Sequence, residues 1–464
     1  MHIFSVNGVD MQAIWAEQAL LEGDFARDVR VVLGVDGRIV SATADVTAEP
    51  DDIRVGALLP APVNLHSHAF QRAMAGMTER RGPNGRDTFW TWRQLMFRFL
   101  DALTPEDIEA IAAFVQMEML EAGYAAVAEF HYVHHQVDGV PYADIGELSA
   151  RIAAAAEASG IGLTLLPVLY QFAGVNGAAL APGQVRFGND VDQFRKLHQR
   201  AAEIVTRLPG DATIGVAPHS LRAVSREGLR DVVALGGPLH MHLAEQVAEV
   251  EEVEAAYGQR PVNWLLDHHQ VDPRWCLIHC TQMTGEETVR LARTNAVAGL
   301  CPITESSLGD GTFNGVGYLE AGGRFGIGSD SNIRIALTEE LRTLEYSQRL
   351  KVKQRAVLAT ETQSTGRWLY AGALAGGAQA AGRRSGAIEP GQWADLLALD
   401  MSAIDLEGRW GDALLDSFIF AGDDRMITDV WSAGRHLVSE GRHVRHAQIA
   451  ARYRQTMARL RTLL

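Results

Sequence analysis

Eight short apolar segments recur along the middle of the chain, and they constrain the fold more than any other feature. In order they are GALLPAPVNLHSH, AAVAEFHY, LTLLPVLY, TIGVAPHS, PLHMHLAE, WCLIHC, AVAGLCP and RFGIGSD. Helix-like segments separate them, such as PEDIEAIAAFVQMEMLEAG and LSARIAAAAEASG. This alternation predicts parallel strands joined by right-handed crossovers, and eight such units can close into a (β/α)8 TIM barrel. A doubly wound open sheet is the alternative, but no strand is followed by the G-x-G-x-x-G turn of dinucleotide-binding sheets.

Both ends of the chain differ from the middle, because they contain short β segments and turns. Asp-Gly at 36–37, within DVRVVLGVDGRIVSA, indicates a hairpin, and SGAIEPGQWADLLALD and MITDVWSAGRHLVSEG predict strands near the other end. We therefore predict a small β-sandwich domain built from both termini (1–58 and 376–464) beside a metallohydrolase barrel (59–375). The segment ARYRQTMARLRTLL predicts a terminal helix. A chain of 464 residues has room for both parts, since a barrel takes about 250 residues.

Charge and cysteine usage limit the partners and the compartment. The net charge of -15 disfavours nucleic acid and anionic membranes, which both select a basic surface. No run of about 18 apolar residues predicts a membrane span, and no basic segment precedes an apolar stretch at the start as in a signal peptide. Three cysteines in so long a chain predict a reducing, cytoplasmic location. Cys276 and Cys280 flank His279, which could suggest a metal cluster, but their apolar strand favours small buried hydrophobes.

Polar side chains follow the predicted strands where the strands end, which is the rim that holds active sites in barrels. His66 and His68 are two residues apart on the first strand, so both imidazoles lie on one face and can reach one ion. His242 closes the fifth strand and Asp330 ends the eighth. A lone H-x-H has a high false-positive rate, but the combination of four is hard to obtain by chance. Three imidazoles and a carboxylate suit one Zn²⁺ per chain, with Fe²⁺ or Mn²⁺ possible.

Two neighbours of His242 are assigned different roles. Glu245 lies three residues later, which puts a carboxylic acid near the metal without making it a ligand. His240 shares the strand parity of His242 but lies deeper in the barrel, so we predict a structural role for it.

At these residues the chain resembles the amidohydrolase superfamily, whose members use an H-x-H on the first strand, a histidine on the fifth and an aspartate on the eighth. The H-x-x-E at 242–245 and the sixth-strand His279 resemble the deaminase branch of that superfamily. The fourth strand, TIGVAPHS, has no lysine that could bridge two metals, so the resemblance implies one metal. It spans nearly the whole chain.

A closer resemblance rests on NLHSHAFQRAMAG, DTFWTWR, AEFHYVHH and VAPHSLRAV. These segments are similar to the formimidoylglutamate deiminase family, which converts N-formimidoyl-L-glutamate and water into N-formyl-L-glutamate and ammonia in histidine degradation. The resemblance implies a homodimer and a set of substrate-binding residues: Gln71, Arg93, Tyr132, His219 and Arg222. Guanidinium groups donate in a fork that suits carboxylates, so Arg93 and Arg222 are candidates for holding the two carboxylates of that substrate. Arg93 follows Phe89, Trp90 and Trp92, which we expect to form an aromatic loop after the first strand.

The expected chemistry assigns Glu245, His279 and Asp330 as catalytic residues. Asp330 orients the attacking water and accepts its proton, Glu245 carries a proton to the departing nitrogen, and His279 hydrogen-bonds around the reacting oxygen. One alternative is a deaminase of a nucleobase, nucleoside or triazine on the same scaffold, which requires aromatic stacking in place of two carboxylate clamps. The other is a barrel that has lost catalysis and serves as a binding protein.

Overall fold

The computed structural model describes residues 4–6, 9–21, 23–79 and 89–462. One of its sheets combines strands from both ends of the chain. Its strands are β1 (Phe4–Val6), β2 (Val9–Leu21), β3 (Asp24–Leu33), β4 (Ile39–Thr43), β5 (Ile53–Pro60), β15 (Leu396–Leu399), β16 (Ile427–Ser432), β17 (Arg435–Ser439) and β18 (Arg442–His443). The order is β18-β17-β16-β15-β5-β2-β3-β4, with β1 paired to β2. The predicted β domain built from both termini is confirmed, whereas the boundaries 1–58, 59–375 and 376–464 stay a prediction.

The predicted hairpin at Asp36-Gly37 joins β3 to β4, which pair antiparallel. Gly37 has a φ of +81°, and a Cβ there would lie 2.2 Å from the backbone oxygen of Ala433. Only glycine therefore fits where the hairpin meets the strands contributed by the other end of the chain.

The middle of the chain forms the barrel strands. They are β6 (Val63–Ser67), β7 (Ala126–His131), β8 (Gly162–Leu169), β9 (Thr213–Ile214) with β10 (Ala217–Pro218), β11 (Leu239–Leu243), β12 (Trp275–His279), β13 (Val297–Leu300) and β14 (Arg324–Ile327). All their pairings are parallel, and β9 and β10 together make the fourth strand. Two single parallel bridges, Val216 with Leu239 and Ser67 with Asp330, join the two half-sheets. These bridges close the predicted TIM barrel, so the open doubly wound sheet is excluded.

Most of the helices connect successive strands of the barrel. They are α1 (Phe89–Ala102), α2 (Pro105–Glu121), α3 (Glu147–Ser159), α4 (Val191–Val205), α5 (Arg226–Val233), α6 (Val247–Tyr257), α7 (Pro261–His268), α8 (Gly285–Ala292), α9 (Pro302–Leu308), α10 (Gly315–Glu320), α11 (Leu337–Val352), α12 (Thr365–Ala381), α13 (Asp412–Phe420) and α14 (His446–Arg461). The predicted terminal helix is α14, which packs on α2 through a stacked pair of rings, Tyr453 on Phe114 at 4.0 Å. Within the described part of the chain, no helix is long and apolar enough to cross a membrane.

The first predicted strand, GALLPAPVNLHSH, is wrong as a single element. Its first half belongs to β5 of the nine-stranded sheet, and its second half is the barrel strand β6. Pro60 and Pro62 flank the break, and a proline cannot donate a ladder hydrogen bond. One continuous apolar run therefore serves two sheets.

Candidate metal and substrate site

Four side chains at the rim of the barrel bring one ligand atom each to a common point. His66, His68, His242 and Asp330 are all buried, and their ligand atoms lie within 4.8 Å of one another. The distances are 3.2 Å between His66 Nε2 and His242 Nε2, 3.4 Å between His66 Nε2 and Asp330 Oδ1, and 3.2 Å between His68 Nε2 and the same oxygen. A tetrahedron with bonds of about 2.0–2.1 Å has edges of about 3.3 Å, so the spacing fits a tetrahedral Zn²⁺ site.

Backbone carbonyls orient two of these imidazoles. His68 Nδ1 lies 3.0 Å from the oxygen of Phe130, and His242 Nδ1 lies 3.2 Å from the oxygen of His219. A ring that donates from Nδ1 keeps the lone pair of Nε2 for a metal, as is usual for metal-binding histidines. Burial lowers the pKa of His66 to about 3, so that ring is also neutral. The ligand atoms are therefore oriented to bind a cation.

Closure of the barrel brings the first and last strands of the site together. Asp330 N donates to His66 O at 2.9 Å, and His68 N donates to Asp330 O at 2.9 Å. Asp330 has a φ of +46° and His279 a φ of +71°, a left-handed conformation that is uncommon outside glycine. Backbone strain of this kind costs of order 1–3 kcal/mol per residue and clusters at functional sites. Here it occurs where two strand ends turn their side chains into the site.

A histidine and two glutamates lie beside the ligand atoms. His279 Nε2 lies 3.8 Å from Glu245 Oε1 and 3.9 Å from Asp330 Oδ2, while its Nδ1 lies 3.3 Å from Glu305 Oε1. Burial opposes the charged form of His279, but Glu245, Glu305 and Asp330 raise its pKa well above its usual value. Burial, helped by the nearby Glu249 and Asp330, raises the pKa of Glu245. Glu245 and His279 can therefore hold and exchange a proton beside the ligands.

The ligands open into a cavity with an empty volume of about 580 Å³. Its lining is His68, Gln71, Trp92, Arg93, Met96, Tyr132, Tyr170, Phe187, His219, Arg222, His242, Glu245, His279, Leu308, Asp330 and Ser331. The sequence-predicted site residues all lie in this lining except His66, which is fully buried next to it. The structure thus brings together every residue predicted for the site, although the roles assigned to them stay predictions.

Hydrogen bonds between lining residues fix several polar atoms. Arg93 Nη2 donates to the Tyr170 hydroxyl at 2.7 Å, and Gln71 Nε2 donates to the Tyr132 hydroxyl at 2.8 Å. Gln71 Oε1 is buried and has no hydrogen-bond partner among the described residues. That oxygen can accept an N–H from a ligand.

His219 and Arg222 lie beside each other in the cavity wall. Burial, followed by the charges of Arg222 and Arg93, lowers the pKa of His219 well below its usual value. The His219 ring packs against Tyr170 at 4.5 Å and against His242 at 4.9 Å. His219 is neutral whereas Arg222 and Arg93 are positively charged, so this side of the cavity favours an anionic ligand.

Some expectations from the sequence differ from the structure. Arg93 was expected in an aromatic loop, but it lies on α1, because this aromatic segment is helical. The side chains of Phe89 and Trp90, part of the same expectation, lie outside the described residues. His131, which also ends a strand, is buried against His134 at 5.3 Å and is absent from the cavity lining. Successive side chains of an extended chain point to opposite faces, so the neighbouring Tyr132 faces the cavity where His131 does not.

Sequence reasoning missed other members of the site. Tyr170 directly follows β8, so the strand-end argument applied to LTLLPVLY would have identified it. Glu305, which binds His279, lies on α9 and accepts from Cys301 N at 2.9 Å. No sequence pattern indicates Glu305, because only the packing of α9 against the sixth strand brings it to His279.

The three cysteines are free and buried. Burial raises the pKa of the Cys276 thiol well above its usual value, and a thiol that stays protonated is a poor metal ligand. His240 Nε2 donates to Ala380 O at 2.8 Å deep in the barrel, which agrees with the structural role predicted for it.

Comparison with known proteins identifies relatives over nearly the whole chain. Residues 57–437 match the family model described as "Amidohydrolase family", and residues 11–56 match "Formimidoylglutamate deiminase HutF, N-terminal domain". A curated formimidoylglutamate deiminase from Pseudomonas aeruginosa is 48% identical over 97% of this chain and 100% of its own length.

Solved structures give the same picture. A crystal structure of an amidohydrolase from Brucella melitensis has a TM-score of 0.93 and 46% identity, covering 97% of this chain and 99% of that one. An adenosine deaminase from Xanthomonas campestris with bound zinc has a TM-score of 0.81 and 23% identity, covering 97% and 98%. At that identity the second likeness shows the fold alone.

Proposed function

The chain belongs to the amidohydrolase family, and we propose that it hydrolyses N-formimidoyl-L-glutamate to N-formyl-L-glutamate and ammonia in histidine degradation. The observation that carries the proposal is the composition of one cavity. Arg93 and Arg222 line the same cavity as the imidazole and carboxylate ligand set. Two guanidinium groups match the two carboxylates of that substrate, and the ligand set matches hydrolysis at its amidine carbon. The name of the relative from Pseudomonas aeruginosa supports the same substrate.

We also propose Zn²⁺ as the ion, one per chain, held by His66, His68, His242 and Asp330. Nitrogen and oxygen donors at tetrahedral spacing support it over ions that prefer six ligands. When bound, Zn²⁺ acts as a Lewis acid and makes water more acidic.

The residues of the chain divide the remaining work. Arg93 and Arg222 bind the carboxylates, and Gln71 Oε1 accepts an N–H of the substrate. Asp330 accepts a proton from the water that adds to the formimidoyl carbon. Glu245 delivers a proton to the nitrogen that departs as ammonia, and His279 hydrogen-bonds the added oxygen. The raised pKa of Glu245 supports its part, because it favours the protonated form that can deliver a proton.

A cytoplasmic location and a homodimer complete the proposal. The free, buried cysteines agree with a reducing compartment. Size-exclusion chromatography with light scattering measures the mass of the assembly in solution, and a mass of one chain would contradict the homodimer.

Ammonia release from a panel of substrates tests the proposed reaction. Metal-loaded protein is incubated with N-formimidoyl-L-glutamate, adenosine and guanine. We expect ammonia from the first alone, because the cavity offers two guanidinium groups for its carboxylates. Ammonia from adenosine or guanine and none from formimidoylglutamate would favour the alternative deaminase, and none from any of them would favour the non-catalytic barrel.

A further inference from the structure

A turn at the edge of the cavity contacts α1, the helix that carries Arg93. This turn is a 3-10 helix, Pro182–Phe187, which we call the support turn. Gln184 and Arg186 within it are buried, with 3% and 1% of their surface exposed. Buried polar side chains of this length are costly unless they are hydrogen-bonded, so their partners show what the turn holds in place.

Arg186 binds the end of α1. Its guanidinium donates to Leu103 O at 3.1 Å and to Leu100 O, and its Nε donates to His135 O at 2.9 Å. The last carbonyls of a helix have no partner within the helix, so a buried cation there fixes the helix end. Gly183 of the same turn approaches α1 closely, because a Cβ on it would lie 2.4 Å from Phe97 Cγ.

Gln184 reaches Arg93 through one intermediate. Its Oε1 accepts from Ala181 N at 3.0 Å, which orients the amide, and its Nε2 donates to the Tyr170 hydroxyl at 2.8 Å. The same hydroxyl accepts from Arg93 Nη2 at 2.7 Å. Tyr170 and Arg93 line the cavity, whereas Gln184 is absent from the described lining.

We propose that the support turn positions Arg93 through Gln184 and Tyr170, and thereby determines how tightly the site holds a carboxylate of its ligand. The inference rests on the proposed function for the identity of that ligand. Gln184 is a positioning residue, since it acts without touching the ligand. A guanidinium held in one orientation loses less rotamer entropy when it binds a carboxylate, so the effect belongs to binding.

Steady-state kinetics on metal-loaded protein tests the inference. For Tyr170→Phe we expect KM for N-formimidoyl-L-glutamate to rise roughly 10- to 100-fold, the range for losing a hydrogen bond to a charged group. For Gln184→Leu the rise should be smaller, roughly three- to tenfold, with kcat within about twofold in both. The matched control is Tyr346→Phe, because Tyr346 is 41% exposed on α11 and is not part of the cavity lining. It should behave as the parent.

A double-mutant cycle separates positioning from general damage. In an Arg93→Ala background, Gln184→Leu should cause no further rise in KM, because its effect passes through Arg93. An equal rise in both backgrounds, or a fall in kcat at constant KM, would overturn the inference.

Calorimetric binding of N-formyl-L-glutamate gives a readout that does not depend on turnover. The dissociation constant should follow the KM pattern across the variants. If the dissociation constants of parent and variants follow the expected order but the parent releases no ammonia from formimidoylglutamate, the proposed function fails and the inference stands. If the parent turns over the substrate but Gln184→Leu binds as tightly as the parent, the inference fails alone.

Discussion

At the scale of single residues, Glu245 differs from the proposed metal ligands because it lies outside their cluster. Carbonyl oxygens orient His68 and His242 so that their Nε2 atoms face the ligand cluster. Glu245 lies 3.8 Å from His279 Nε2, and burial raises its pKa. Glu245 can therefore be changed without removing a proposed metal ligand.

Glu245→Gln is expected to keep the metal and lower kcat by roughly 10²–10⁴, the usual contribution of a positioned acid or base. The amide retains the size of the side chain but cannot carry the proton. Elemental analysis and ammonia release measure the two properties. Glu254→Gln, on the exposed side of α6, is the matched control. Turnover within tenfold of the parent would show that Glu245 is not the proton carrier.

Arg93→Ala and Arg222→Ala are each expected to lower kcat/KM by roughly 30-fold to several thousand-fold. Losing one partner of a desolvated charge pair costs about 2–5 kcal/mol, at tenfold per 1.4 kcal/mol. Metal content should not change, because neither arginine belongs to the ligand cluster. Arg425→Ala is the control, since that side chain is 90% exposed.

Formimidoyl-glycine, with one carboxylate, extends this test. The parent should turn over formimidoyl-glycine slowly. One of the two arginine variants should lower that rate little further, and the arginine changed in that variant is the one that binds the carboxylate missing from formimidoyl-glycine. Unchanged formimidoylglutamate kinetics in both variants would withdraw the substrate assignment while leaving the metal site intact.

At the scale of elements, the sequence predicted which residues lie at the strand ends but not where helix α1 lies. Strand parity and the rim of a parallel barrel were enough to bring His66, His68, His242 and Asp330 together from the sequence. The same logic could not give the position of Arg93, because α1 is held by the support turn through contacts such as Arg186 with Leu103, which are 83 residues apart in the chain. Such long-range contacts leave no local pattern in the sequence.

Helix α12 shows a packing constraint of the same kind. A Cβ on Gly376 would lie 1.8 Å from the backbone oxygen of Phe325 in β14. Gly376→Ala is therefore expected to destabilise the protein by about 3 kcal/mol or more, measured by urea unfolding, or to abolish soluble expression. Gly285→Ala in α8 is the matched control, because a Cβ there meets no atom within 4 Å. It should change stability by less than about 1 kcal/mol. Equal stabilities of the two variants would contradict the close helix-strand packing.

At the scale of the whole molecule, buried ion pairs connect the barrel to the nine-stranded sheet. Asp211, before β9, pairs with Arg383 at 3.0 Å and with Arg435 of β17 at 2.8 Å, and Arg383 also pairs with Asp395 at 2.6 Å. Burial opposes the charge of Asp211, but Arg435 and Arg383 outweigh it and lower its pKa. The network is a polar link between the two parts of the chain.

Asp211→Asn is expected to cost about 3 kcal/mol of stability at pH 7, since it removes one partner of a buried pair. A lowered folded-state pKa contributes stability above the unfolded value, near pH 4, and loses it as the pH falls through the folded value. The difference between parent and variant in urea unfolding should therefore be equal at pH 7 and pH 5 and begin to narrow at about pH 4. A difference that grew on acidification would contradict the sign of this linkage.

Titration of metal-free protein with Zn²⁺ tests the proposed metal-dependent hydrolysis, with ammonia release from N-formimidoyl-L-glutamate as the readout. The ligand cluster of three imidazoles and a carboxylate predicts that activity rises linearly and stops rising at about one equivalent per chain. His242→Ala, which removes one ligand, should show no such rise. Full activity without metal, a break at two equivalents, or no ammonia at any loading would contradict the account.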